Sequence, residues 1–163
     1  MDDDSKPADA RHDVIVGALA GAVGGLAGAA IKLLCEKIAP PRTPDREPPP
    51  GVIAANVVRA LSGRELSHER MATVALAVHW TFSTVTSALY GALAARVRSV
   101  RFGGGVGFGL VVWVGFHEIT LPLLRATPPL RELPILEQLN ECVSHAVFGV
   151  TVERVRAAVA ALA

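Results

Sequence analysis

A small set of titratable side chains interrupts stretches of this chain that are otherwise almost free of charge. Lys32 and Glu36 stand late in the first apolar stretch and His79 early in the second. His117 and Glu118 stand late in the third, and Glu137, Glu141 and His145 begin the last. Glu137, Glu141 and His145 recur at four-residue spacing, so a helix carries them on one face. Lys32 and Glu36 share that spacing, and an internal ion pair lowers the cost of holding both charges away from water.

Three chemistries suit these residue types. The first is a structural network, in which the polar groups hydrogen-bond across helices and fix their packing. The second is a proton or ion relay, because imidazole and carboxylate exchange protons near neutral pH. The third is a metal site for zinc or another divalent ion built from His79, His117, Glu141 and His145, with two ligands one helical turn apart. None of these residues forms a pattern as specific as HExxH. Hydrolase, transferase and nucleotide-binding fingerprints are absent from the sequence, so an enzymatic role would have to run through the His/Glu layer.

The elements that must position these groups read as membrane-spanning helices. The chain has 163 residues, of which 51% are apolar and 19% charged, and its mean hydropathy is +0.41. Val14 to Ile31 carries no charge, and Met71 to Ala95 carries none apart from what His79 can take up. Both are long enough to cross a bilayer. The pattern predicts an all-α integral membrane bundle of about four transmembrane helices, at about 14–37, 71–95, 102–124 and 134–156. The last helix spans only if Glu137 and Glu141 face protein rather than lipid. Three spans and one amphipathic helix form the alternative.

Residues 14–163 read as a single domain, preceded by an acidic, disordered tail over 1–13 that lacks the basic start of a secretory signal. Residues 38–50 hold six prolines and predict an extended connector. Residues 51–70 predict an amphipathic surface segment interrupted near Ser62 and Gly63, with Ser67 able to cap the following helix. Gly17, Gly21, Gly25 and Gly28 give the first span small-residue faces that let backbones approach closely. With the glycines of the third span they suggest a homo-oligomer or a larger membrane complex. A glycine-rich FGGGVGFG begins that third span, and helix packing explains it better than phosphate binding, since it lacks the Lys-Ser/Thr of a P-loop. Cys35 and Cys142 read as small apolar fillers.

Alternating spans bring the titratable groups to one side. At about 1.5 Å per residue, His79 lies roughly 12 Å in from Met71, and His117 about 10 Å before Leu124. Arg96, Arg98 and Arg101 crowd the short loop between spans two and three, which the positive-inside rule assigns to the cytoplasm. Both termini are then cytoplasmic and the polar layer lies in the opposite half. Net charge is +1, which offers no bulk attraction for nucleic acid.

Four groups of residues together resemble the YagU-like family of uncharacterised bacterial inner-membrane proteins. They are Lys32-x-x-x-Glu36 with Pro40-Pro41-Arg42, and His79 with Phe82-Ser83 and Tyr90. The others are His117 with Leu121-Pro122-Leu123 and Thr127-Pro128-Pro129, and Leu133-Pro134 with Glu137, Glu141, His145 and Glu153-Arg154. The connector of this chain is shorter and richer in proline than that pattern. The resemblance implies a multi-pass inner-membrane location and a helical fold, and it supplies no reaction. The expected function is a membrane module handling protons, ions or small solutes, or responding to pH, through the His/Glu layer. A structural subunit of a larger complex is the alternative, with a metal-binding membrane protein behind it.

Overall fold

The computed structural model describes residues 7–43 and 46–163, and every regular element among them is helical. Helix α1 runs over Pro7–Ile38, α2 over Pro49–Ser62, α3 over His68–Arg96 and α6 over Ile135–Ala160. Between α3 and α6 the chain is less regular. A 3-10 stretch, Arg98–Gly105, leads into α4, Val106–Val112. A π-helical segment, Trp113–Thr120, continues it to the single turn α5, Leu121–Leu123.

Several boundaries differ from the sequence expectation. Helix α1 begins at Pro7, so residues 7–13 are helical and not tail. Proline lacks only a donor that a first turn does not use, and Asp9 complements the positive end of the helix. The rest of the expected tail, residues 1–6, lies outside the described residues. The connector ends earlier than expected, because Pro49 and Pro50 open α2 in the same way. Helix α2 stops at Gly63, whose φ of 65° is the left-handed cap glycine allows. Ser67 stands at the N-cap of α3, yet its side chain makes no capping bond. The third span is not helical from residue 102, because Gly103 and Gly104 (φ 62°) and Gly105 (φ 100°) turn the backbone there.

Among the described residues, three helices are long and apolar enough to cross a membrane: Asp9–Ile38, His68–Arg96 and Arg98–Leu123. Packing is inverted relative to a water-soluble core. Ala20 is 1% exposed while its neighbour Leu19 is 65% exposed. Ala29, Ala75 and Ala94 are buried, whereas Leu26, Leu34, Leu89 and Val111 face outward. Large apolar groups on the outside and small ones at the contacts suit a lipid surround.

Helix α1 is the central element and packs antiparallel against both α3 and α6. A Cβ on Gly25 would stand 2.6 Å from the Ser83 carbonyl oxygen, and one on Gly24 would stand 2.6 Å from that of Val152. Gly17 and Gly21 approach the α3 backbone at Gly91 and Ser87, and Gly28 receives the ring of Phe148. Gly109 of α4 lies against the α6 backbone at His145, and Gly105 against Gly149. The small-residue faces read as oligomer contacts are therefore used within the chain. On the remaining side Phe116 stacks on Phe82 (centroids 4.2 Å apart) and Phe108 stacks on Tyr90 (4.3 Å), which joins the third span to α3. The four long segments alternate in direction, which brings their titratable groups to a common depth.

Candidate functional site

Four elements converge where α1 ends. Lys32 reaches inward near the end of α1 and donates to Glu141 Oε1 on α6 at 3.1 Å. It also pairs with Glu36, one turn further along its own helix. The same Glu141 oxygen lies 3.2 Å from His117 Nε2 and 3.6 Å from His145 Nδ1. An amine and two imidazoles thus meet one carboxylate oxygen, and Glu141 is 3% exposed.

The π-helical segment sets the orientation of His117. A π-turn inserts an extra residue and rotates the helix beyond it, and such turns recur at functional sites. Here Thr120 Oγ1 donates to the Gly115 carbonyl five residues back, at 2.8 Å. His117 and Glu118 are adjacent on this turn, and His117 Nδ1 lies 3.1 Å from Glu118 Oε1. Both ring nitrogens of His117 therefore face carboxylate oxygens, at 3.1 and 3.2 Å.

Carboxylate oxygens accept hydrogen bonds, and a neutral imidazole carries only one N–H. Satisfying both contacts takes one more proton, on His117 or on one of the two carboxyl groups. His145 is anchored differently, since its Nδ1 donates to the Glu141 carbonyl at 2.9 Å. His79 lies in the same layer but apart from Glu141, with Nε2 3.4 Å from the carbonyl oxygen of Ala29. Glu137 lies outside the cluster and pairs with Arg46 of the connector.

A cavity of about 250 Å³ opens beside the cluster. Lys32, His79, His117 and Glu141 stand in its polar wall, while Phe82, Phe116 and Leu121 supply apolar surface. A second cavity of about 580 Å³ lies between the connector and the loop after α5. His117, Arg42 and Pro49 line both.

Among the described residues no group of three or more His, Cys, Asp or Glu side chains is arranged to hold a metal ion. His79 is turned to the α1 backbone, and the Lys32 ammonium already lies beside the carboxylate oxygen that a cation would take. Of the residues considered for zinc, His117, Glu141 and His145 meet in one cluster, and His79 stands apart from it.

A second polar cluster sits toward the other end of the bundle. Tyr90 donates to Glu153 Oε2 at 2.9 Å, and Arg156 donates to both Glu153 oxygens at 2.7 Å each. All three side chains are buried. Arg101 donates to the carbonyl of Ala94 at the end of α3, so it caps that helix as well as charging the loop. The sequence reading missed the Glu153–Arg156 pair as an internal group. The two residues stand three apart on α6 just past its uncharged core, a spacing that makes them neighbours on one helical face. It named Arg42 only within a motif of the resemblance and missed Arg46; both lie in the proline-rich connector, where no helical period reveals direction.

The fold and the cluster define a helical bundle of membrane-spanning character with an internal layer of lysine, histidine and glutamate side chains. The family model described as "Protein of unknown function (DUF1440)" matches residues 26–154, and the chain belongs to that family. The match covers every residue of the Glu141 cluster. Neither a curated protein nor a solved structure matches the chain.

Proposed function

We infer that this protein is a four-span module of the bacterial inner membrane that takes up and passes protons through the His117–Glu141 layer. The observation that carries this reading is the position of His117, flanked at both ring nitrogens by carboxylate oxygens. Such a group holds a proton that can shift between partners with little movement, and intramembrane His and Glu chains serve relays in this way. The cavity on one side and the connector on the other give His117 both an internal and an external neighbour.

The fourth span is α6. Glu137, Glu141, Glu153 and Arg156 turn inward, and from residue 135 to 153 the exposed large apolar positions are Ile135, Leu136, Leu139 and Val143. Glu137 is only 9% exposed. This packing supports the condition for spanning, that the acids face protein. Arg96 and Arg98 are exposed in the loop between α3 and α4, which supports a cytoplasmic loop and cytoplasmic termini. A C-terminal alkaline phosphatase fusion is then inactive, and an active one reverses the orientation.

The relay is tested in proteoliposomes holding a pH-sensitive dye. The parent chain relaxes an imposed pH difference, and His117→Gln abolishes this while inserting at normal abundance. Equal rates in parent and variant overturn the reading. A second reading, a structural subunit within a homo-oligomer or larger complex, draws support from the ties that hold the connector to the bundle. Arg46 pairs with Glu137, and Asn140 donates to the Pro40 carbonyl at 3.2 Å. Loss of abundance in both His117→Ala and His145→Ala favours that second reading.

A further inference from the structure

The two cavities differ in wall chemistry, and the residues they share mark a neck between them. The outer chamber is lined by three arginines, Arg42, Arg46 and Arg125, and by two acids, Glu47 and Glu137. Both acids have partners, since Glu137 pairs with Arg46 and Glu47 lies 2.8 Å from His68 Nδ1. In the inner chamber Glu36 and Glu141 are both paired with Lys32. Among the described residues, neither Arg42 nor Arg125 has a carboxylate within ion-pair distance. The pairing therefore leaves two guanidinium groups for a ligand, and Arg42 lines both chambers.

Beyond the neck the inner chamber is largely apolar. The stacked rings of Phe82 and Phe116 form one wall, with Leu33, Leu76 and Leu121 around them. A guanidinium binds a carboxylate through paired, charge-assisted hydrogen bonds. An apolar chamber behind it favours a ligand with a short hydrocarbon body.

We propose that the paired cavities bind a small amphipathic monoanion, a carboxylate with a short apolar chain. Its headgroup sits at the neck on Arg42, with Arg125 facing it from the loop after α5, and its chain lies against Phe82 and Phe116. Lys32 contacts both inner acids and offsets one of their two charges, so Arg42 and Arg125 supply the net positive charge at the neck. This assignment stands apart from the relay, since it rests on the arginines and the chamber walls.

The test uses the full chain in phosphatidylcholine nanodiscs and calorimetric titration with octanoate. Binding is saturable, weakens at least about tenfold in Arg42→Gln and is partly restored in Arg42→Lys, as expected for a charge-assisted contact. Arg98→Gln, an exposed change at the other end of the bundle, leaves it unaltered. Octanol, octylamine and inorganic phosphate each bind at least about tenfold more weakly than octanoate, because each lacks either the negative charge or the chain. If Arg42→Gln does not fold, Arg125→Gln is read in its place, with binding weakened in the same direction. Unsaturable octanoate binding, or binding indifferent to both arginines, overturns the proposal. Phosphate binding as tight as that of octanoate overturns the role of the inner chamber. Loss of octanoate binding when the disc contains phosphatidylglycerol assigns the arginines to a lipid headgroup and overturns it too. No proton step enters this readout, so its failure and the failure of the relay are separately visible.

Discussion

Lys32 of α1 and Glu141 of α6 stand 109 residues apart in the chain and meet at 3.1 Å inside the bundle. Lys32 also holds Glu36, so one ammonium faces two acids, the buried Glu141 and the half-buried Glu36. Removing it strands both. Lys32→Met is expected to cost at least about 3–5 kcal/mol, the penalty for an uncompensated buried charge. Glu36→Gln costs less, because Lys32 keeps Glu141. Thermal unfolding in detergent measures the order, and equal losses would show that Glu141 does not depend on Lys32.

The second cluster predicts a graded series. Tyr90→Phe removes one hydrogen bond to a charged group and is expected to cost about 1.5–3 kcal/mol. Glu153→Gln leaves the buried Arg156 without its counter-charge and costs more, about 3–5 kcal/mol. Arg154→Gln, at an exposed position, is close to neutral. The same unfolding assay ranks the three, and a neutral Glu153→Gln would remove the cluster from the stability of the fold.

Glycine contacts predict opposite signs for one substitution type. Gly25→Ala places a methyl 2.6 Å from the Ser83 carbonyl oxygen and 2.8 Å from the Ser87 Cβ, so α1 and α3 must part. Such overpacking costs about 1–3 kcal/mol. A methyl on Gly115 meets nothing within 4 Å, and alanine there is neutral or stabilising by up to about 1 kcal/mol. Abundance and unfolding temperature of the two variants test the pair together.

The outward row of α6 predicts lipid contact. Spin labels at Leu136, Leu139 and Val143 are expected to collide with dissolved oxygen and to be shielded from a water-soluble nickel chelate. Chelate access at all three positions would return α6 to an amphipathic surface helix.

Much of this arrangement is legible in the sequence because charge is so sparse there. A lysine, a glutamate or a histidine in an uncharged stretch must turn inward, which is why Lys32, His117, Glu141 and His145 group together on spacing and depth alone. Helix ends are less legible. Pro49 and Pro50 read as part of an extended connector, although a helix start tolerates them. The glycines at 103 to 105 read as part of a helix, although their positive φ values make a turn. The π-helical segment has no period of its own to detect, and it decides where His117 points. The glycine faces are visible in the sequence, but whether they meet another copy or the same chain is a matter of tertiary pairing.

The close glycine approaches also shut the bundle at the end away from the two cavities. Gly17 meets Gly91 there, Gly105 meets Gly149, and the Tyr90, Phe108 and Phe148 rings fill the space between. The layer is therefore the floor of a blind well. A molecule that reaches it leaves by the mouth it came through, unless backbones now in contact separate. The proton relay proposed above would need only reorientation of hydrogen bonds, with every helix staying where it is.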